Sequence, residues 1–401
     1  MPEAVIVATA RSPIGRAFKG ALANERPDDL TAQMITHALK KLPELDPKQI
    51  DDILVGCGMP GGEQGFNLAR VVALLLGLET VPGATITRYC SSSLQTTRMA
   101  FHAIKAGEGD VFVSAGVEMV SRFVNGSSDT LPNTENPVFA AAKARTERFA
   151  NGEEGPWQPD ELIDAYIPMG QTAENVASLK NVSRERMDDF AFQSQTRYAA
   201  AKASGFYAKD ITPVTLSNGT VMSEDESPRQ AEREAMANLD PVFRPGGTVT
   251  AGNACPLNDG AAAVVIMSDT KAKQLGITPL ARIVSTGVTG LHPEIMGLGP
   301  IEASRQALAR AGMTVSDMDI VEINEAFAAQ VLPSADELGV DEAKLNPHGG
   351  AIALGHPFGM TGARITSTLI NGLQATDGTF GLETMCVGGG QGMAMVVERL
   401  S

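Results

Sequence analysis

The feature that most constrains the fold is a plan the chain uses twice. Ile35 to Lys41 has helical spacing and is followed by the apolar run Ile50-Asp51-Asp52-Ile53-Leu54-Val55. Ala303 to Ala311 has the same spacing and is followed by Met318-Asp319-Ile320-Val321-Glu322-Ile323. A second pair repeats in the same way. Cys90 leads a helix, a polar turn at Gly109-Asp110 and a strand from Val111 to Ala115. His356 opens a helix through Ile365, Leu369 and Leu373, followed by a turn at Asp377-Gly378 and a strand from Gly381 to Cys386. Amphipathic helices alternating with short apolar runs predict an α/β fold rather than a bundle or sandwich. Two halves built to one plan predict a duplicated α/β domain.

The remaining stretches fit this frame. Val5 to Ala8 and Ala261 to Met267 read as strands, and Asp29 to Leu42 and Asn67 to Leu76 as helices. Gly56 to Gly65 is glycine-rich, but it lacks phosphate-loop spacing and no lysine closes it. From about 121 to 250 the texture changes: Asn, Pro and Glu cluster at Leu131 to Pro137 and Asn151 to Asp160, and a helix is expected over Arg184 to Ala203. Nothing in the second half matches this stretch, and an insertion of that size usually serves function. The expected organisation is an N-terminal half of residues 1–120 with 251–272, an inserted loop domain of 121–250, and a C-terminal half of 273–401.

Charge and cysteine usage exclude several classes. A net charge of −15 disfavours nucleic acid and anionic membrane as partners, so a polyanionic ligand needs a locally basic pocket. Four cysteines, at 57, 90, 255 and 386, are too sparse in 401 residues for a disulfide framework and suit a reducing, cytoplasmic setting. Met1 to Val7 reads as a strand rather than a signal peptide. No apolar run approaches the roughly eighteen residues of a membrane span.

Chemistry concentrates in four stretches. Val81 to Thr87 is an extended run that feeds Cys90, and Leu94, Thr97, Phe101 and Ile104 lie on one helical face behind it. A thiol between strand and helix meets unpaired N–H groups and the positive helix end, which favour the thiolate. Glu322-Ile323-Asn324-Glu325-Ala326-Phe327-Ala328 releases polar groups at a strand end, where sites form in parallel α/β sheets. His348 to Gly362 is a glycine-rich stretch containing His356, with Pro357 suited to a first helical position. Cys386 is followed by Val387-Gly388-Gly389-Gly390, a second thiol beside backbone that can approach a ligand closely. A free thiol with a pKa of about 8.5 needs a partner base at neutral pH, and His356 supplies one. His37, His102 and His292 carry no such context.

Together these motifs resemble the thiolase family, the acyl-CoA:acetyl-CoA C-acyltransferases. The resemblance runs from Ala10-Arg11-Ser12-Pro13-Ile14-Gly15, through Asn-Glu-Ala-Phe and Gly-Gly-Ala-Ile-Ala-Leu-Gly-His-Pro, to Cys386-Val387-Gly388-Gly389-Gly390. It implies the thiolase fold, five α/β/α/β/α layers from two duplicated halves with an inserted loop domain. It also implies 3-ketoacyl-CoA thiolase activity, the CoA-dependent cleavage of a 3-oxoacyl-CoA to acetyl-CoA and a shortened acyl-CoA, in fatty-acid or steroid side-chain degradation. Cys90 matches the nucleophile, His356 its base and Cys386 the acid and base of the second thiol. Asn324 matches the residue holding an oxyanion water, and Gly388 shares a second oxyanion hole with the Cys90 N–H. Leu162, Met169, Arg229, Phe243, Ala251, Cys255, Ala326 and Phe327 match CoA-channel positions. CoA is then a substrate, with no permanently bound cofactor or metal, and the assembly a homodimer or homotetramer.

The sequence departs from the usual pattern at several points. Thr87 stands where many thiolases have Asn, and Ser93 where Gly is usual. Cys255 replaces a pantetheine-bonding serine and is the weaker donor. His348 replaces a frequent Asn. Pro168 replaces the His typical of biosynthetic acetoacetyl-CoA thiolases, which favours a degradative enzyme with a longer or bulkier acyl chain. The alternatives are that biosynthetic enzyme, a ketoacyl synthase, which lacks the second thiol motif, and a non-catalytic acyl-CoA-binding protein on the same scaffold.

Overall fold

A computed structural model describes residues 2–126, 132–153, 157–158 and 162–401. Its strands are β1 (Ala4–Arg11), β2 (Gly15–Arg16), β3 (Asp52–Cys57), β4 (Gly83–Ile86), β5 (Val111–Met119), β6 (Val214–Thr215), β7 (Val221–Met222), β8 (Asn258–Ser268), β9 (Ala281–Gly290), β10 (Ile320–Ile323), β11 (Phe380–Val387) and β12 (Gln391–Arg399). Ten form one hydrogen-bonded sheet: nine follow the path β10-β11-β12-β9-β1-β8-β5-β3-β4, and β2 pairs beside β8. The path narrows at β1–β9, which share the two pairs Val5–Arg282 and Ile6–Ala281.

On either side of that narrowing the topology is the same. In the first half β3 runs parallel to β4 and β5, β5 antiparallel to β8, and β8 antiparallel to β1. In the second, β10 runs parallel to β11 and bridges Leu345 in parallel. There β11 is antiparallel to β12, and β12 to β9. The halves differ at one connection. β11 reaches β12 through the short turn Gly388–Gly390, whereas β5 reaches β8 through residues 120–257. That excursion carries helices Ala140–Ala150, Met169–Leu179, Arg184–Ala203, Phe206–Asp210 and Arg233–Ala237 and the β6–β7 hairpin. Part of the polar clusters at 131–137 and 151–160 lies outside the described residues.

Side-chain alternation along the strands builds the layers. In β8, Ala261, Ala263, Val265 and Met267 share a core with Leu30, Met34 and Ala38 of helix Pro27–Lys40. Ala262, Val264 and Ile266 face the other way, toward Leu94 and Ile104 of helix Ser92–Ala106 and Leu369 and Leu373 of helix Thr361–Thr376. Met393, Met395 and Val397 of β12 close that central layer from the far side. Ala394 and Val396 pack outward, with Ala303 and Leu308 of helix Gly299–Ala311. The result is helix, sheet, helix, sheet, helix, the five layers expected.

Within the central layer the two helices start against one another. The Ala363 N–H donates to Ser93 Oγ at 2.9 Å. A Cβ on Gly362 would lie 2.3 Å from the Leu94 nitrogen, and one on Gly116 would lie 2.5 Å from Ser93 Cβ. Ser93 thus fills space that Gly116 leaves open, which accommodates its departure from the usual glycine. One expectation needs correction: His356 does not open the second helix, which begins at Thr361, and Pro357 is not its first residue. Gly355 sits at φ +113 and breaks the preceding turn. The His356 N–H goes to Asn258 Oδ1 at 3.1 Å, and the Pro357 carbonyl accepts from Met360 and Thr361 in a separate turn. Replacing Gly362 with alanine will lower stability by about 1–3 kcal/mol through overpacking against backbone. A urea-unfolding midpoint equal to that of the parent would contradict this packing.

Candidate active site

Cys90 lies where β4 ends and the first central helix begins, in the turn Tyr89–Ser91. Tyr89 takes the left-handed conformation, φ +42, and reverses the chain just before the cysteine. Cys90 is 8% exposed, and the backbone N–H groups of Cys90 and Gly388 point at its sulfur. Gly388 reaches that position because Gly389 and Gly390, at φ +76 and +80, close a tight turn between β11 and β12. Burial pushes the Cys90 thiol up to about 12, against those N–H groups, and the charge of Glu118 pushes the same way. The N–H groups at the helix start do favour the thiolate, as expected, but in the free protein loss of water outweighs them.

His356 is buried, and its two ring nitrogens have distinct partners. Nδ1 lies 2.7 Å from Thr361 Oγ1, which itself donates to the Pro357 carbonyl at 2.8 Å. The Thr361 proton is thus committed, so Nδ1 carries the imidazole hydrogen and Nε2 keeps its lone pair. Asn324 Nδ2 lies 3.3 Å from Nε2 and donates to it. Burial pulls His356 down to about 3, and nearby Arg364 adds to the shift, so the ring is a neutral base. Asn324 follows β10, with its N–H on the Thr384 carbonyl and its carbonyl accepting from Gln330 Nε2 at 2.7 Å. Its Oδ1 is buried without a protein hydrogen-bond partner, which suits a bound water.

Cys386 is fully buried on β11, opposite Gly392. Burial raises its thiol well above the ordinary range, and the charges of Cys90 and Cys255 would raise it further. Burial likewise raises Cys255, with Cys90 its next largest influence. These three cysteines are therefore electrostatic neighbours, while Cys57 sits apart beside Glu118.

The other expected binding residues fall into linked pairs. The Phe243 and Phe327 rings meet edge to face at 6.0 Å, and the Cys255 N–H donates to the Ala326 carbonyl at 3.0 Å. Arg229 is exposed, with Nη2 on the Ala251 carbonyl at 3.1 Å. Met169 lines a cavity of about 360 Å³ with Cys90 and Gly388. Leu162 does not line that cavity; it is exposed, and its carbonyl accepts from Arg145. Of the departures, Thr87 donates to the Gly58 carbonyl at 2.9 Å, and His348 stacks on Phe206 with ring centroids 3.8 Å apart.

Several residues at the site escaped the sequence reading. Buried Glu118 accepts from the N–H groups of Gly58, Met59 and Gly359 and from Gln64 Nε2. It thereby joins the loop after β3 to the segment after His356, and Met59 and Phe358 of those two loops both line the cavity. An acid inside an otherwise apolar and small-residue strand was its signal in the sequence. Thr361 had none, since its role depends on the turn at Pro357.

A cysteine, a neutral histidine and a second thiol, together with backbone N–H groups at the sulfur, are the kinds of group that acyl transfer through a thiol requires. The chain matches the family model for the thiolase N-terminal domain over residues 4–270 and that for the thiolase C-terminal domain over residues 277–399. It belongs to the thiolase family, and thiolases are acyltransferases. It is 44% identical, over all of both chains, to the 3-oxoadipyl-CoA/3-oxo-5,6-dehydrosuberyl-CoA thiolase of Escherichia coli (strain K12). It is 42% identical to the 3-ketoacyl-CoA thiolase of Bacillus subtilis (strain 168), covering 99% of this chain and 100% of that one. Among solved structures it resembles human mitochondrial 3-ketoacyl-CoA thiolase in complex with CoA, with a TM-score of 0.87 and 35% identity over 100% and 98% of the chains.

The buried thiol has a measurable signature. Iodoacetamide labelling of Cys90 will keep accelerating as pH rises beyond about 9, because a raised pKa leaves little thiolate until the solution is strongly alkaline. A midpoint near pH 8.5 and a plateau by about pH 10, as for a free cysteine, would contradict it. Thr361→Val removes the acceptor that fixes the tautomer. It will lower kcat on the order of tenfold or more with little change in KM, and an unchanged kcat would refute the tautomer assignment.

Proposed function

We propose that this protein is a degradative 3-ketoacyl-CoA thiolase that works by a ping-pong mechanism through an acyl-Cys90 intermediate. The observation that carries the reading is the presence of a thiol facing two backbone N–H groups and of a neutral imidazole whose Nε2 is the unprotonated, proton-accepting nitrogen.

His356 removes the Cys90 proton as the sulfur attacks the 3-keto carbon, so the thiolate forms only when its charge passes at once to substrate. That timing fits a thiol pushed up to about 12. The bond between carbons 2 and 3 then breaks, leaving the shortened acyl group on Cys90 and an acetyl-CoA enolate, which Cys386 protonates. Cys386 next takes the proton of incoming CoA, the CoA thiolate removes the acyl group from Cys90, and the departing Cys90 thiolate recovers its proton from His356. Oxyanions form at both stages. The N–H groups of Cys90 and Gly388 suit the thioester of the acylated Cys90. His356, with a water held on Asn324 Oδ1, suits the enolate oxygen. Phe243, Ala326, Phe327, Cys255 and Met169 supply an apolar wall for pantetheine, and Arg229 the local positive charge a phosphorylated ligand needs in an acidic chain.

The strand β4 is half-buried along its length and ends the sheet with one edge unpaired among the described residues, which supports self-association through that edge as a homodimer or homotetramer. None of the described helices is long and apolar enough to cross a membrane.

The test is loss of the magnesium-enolate absorbance of a 3-oxoacyl-CoA on adding CoA. Cys90→Ala will form no acyl-enzyme, whereas Cys386→Ala will still acylate Cys90 but not turn over. A Cys386→Ala enzyme with near-normal turnover would sink the mechanism. Asn324→Ala will slow turnover on the order of a hundredfold, and a change smaller than about threefold would remove it from the oxyanion site.

A further inference from the structure

The two oxygens of buried Glu118 join the segments that form one wall of the cavity beside Cys90. Oε2 accepts from the Gly58 N–H at 2.7 Å and from the Gly359 N–H at 2.9 Å, so the loop after β3 and the segment after His356 share a single oxygen. Oε1 accepts from the Met59 N–H at 3.2 Å and from Gln64 Nε2 at 2.9 Å. This junction adjoins the nucleophile. A Cβ on Gly58 would fall 2.6 Å from Glu118 Oε2, 2.8 Å from Phe358 Cβ and 3.4 Å from the Tyr89 carbonyl oxygen. The Gly58 carbonyl also accepts from Thr87 Oγ1 at 2.9 Å, on the approach to Cys90. Met59 and Phe358 therefore line the cavity next to the Cys90 turn, and the Phe358 ring meets His356 edge to face at 5.2 Å.

Such a wall resists retreat. Moving either loop outward would strip hydrogen-bond partners from a buried carboxylate, which costs the full desolvation of the groups left unpaired. An acyl group on Cys90 places its first carbons against this wall. A methylene there leads away along the cavity, whereas a branch at the carbon next to the thioester carbonyl drives a second methyl toward Met59 or Phe358. We infer that this wall makes the enzyme select straight-chain over α-branched acyl groups, with Met59 and Phe358 as specificity-determining side chains and Glu118 as the positioning residue that holds them. The inference rests on the thiolase reading above and narrows its substrate class.

Two isomers decide it, 3-oxohexanoyl-CoA and 4-methyl-3-oxopentanoyl-CoA, which deliver butyryl and isobutyryl groups to Cys90. With the full-length enzyme, kcat/KM will favour the straight chain on the order of tenfold or more. Phe358→Ala opens the wall and will narrow that ratio by roughly three- to tenfold. Glu118→Gln keeps one acceptor oxygen but turns an NH2 group toward N–H donors, which frees one loop and narrows the ratio by about threefold or more. Gly58→Ala keeps the carboxylate and wedges a Cβ between Glu118 and Phe358, so it will narrow the ratio in the same direction and decides the point if Glu118→Gln does not fold. A purely structural role would lower kcat/KM for both isomers alike. A parent enzyme that takes the branched isomer as well as or better than the straight one overturns the inference and leaves the thiolase reading intact. A ratio unmoved by Phe358→Ala removes the wall from selection, and one unmoved by both Glu118→Gln and Gly58→Ala removes the clamp. No CoA-dependent cleavage of either isomer or of longer straight chains overturns the inference and the thiolase reading together.

Discussion

The site depends on one close contact, the meeting of the two central helices at their N-terminal ends. Ser93 Oγ accepts the Ala363 N–H, Gly362 lies against the Leu94 backbone, and Gly56 and Gly116 let the first turn of the Cys90 helix sink onto the sheet. A Cβ at Gly56 would fall 2.3 Å from the Ser93 nitrogen, so the approach tolerates no side chain. Because the halves share one topology, the segment before each helix arrives at the same place. One segment carries Cys90 and the other His356. Duplication thus supplies two chemically different groups, each in the turn that leads into one of the two packed helices.

Burial then sets the protonation states. Removed from water, the thiols of Cys90 and Cys386 stay protonated and His356 stays neutral. This is a resting arrangement of uncharged groups, which costs less in a dry site than a standing thiolate–imidazolium pair. The two N–H groups at Cys90 and the Asn324 amide are fixed by backbone and by β10, so the oxyanion sites proposed above would need little reorganisation.

Buried carboxylates hold the surrounding loops in register. Glu118 gathers N–H groups from either side of the cavity. Glu325 accepts from Ser194, Asn346 and the Ile352 N–H, tying helix Arg184–Ala203 to the glycine-rich stretch ahead of His356. Arg11 does the same at the base of the insertion. Its guanidinium is fully buried between Asp210 at 2.7 Å and Asp225 at 2.6 Å, and those carboxylates hold it charged despite burial. The excursion between β5 and β8 is therefore pinned to both halves by charged hydrogen bonds, and it contributes Met169, Tyr166 and Glu135 to the cavity.

The sequence by itself determined a good deal. Apolar spacing set the helices and strands, the repeated order of elements implied two like halves, and Cys90, Asn324, His356 and Cys386 stood out by residue type and by place at strand or loop ends. These are local properties, readable because side-chain periodicity follows backbone geometry. The tertiary structure decided what depends on neighbours distant in the chain. His356 fell outside its helix because Gly355 and Asn258 redirect the backbone there. The Cys90 thiol rose instead of falling because the packed halves exclude water. Glu118 and Thr361 gained their roles from loops that meet only in the folded chain. Electrostatics and burial are sums over everything nearby, so they belong to the fold rather than to any stretch of sequence.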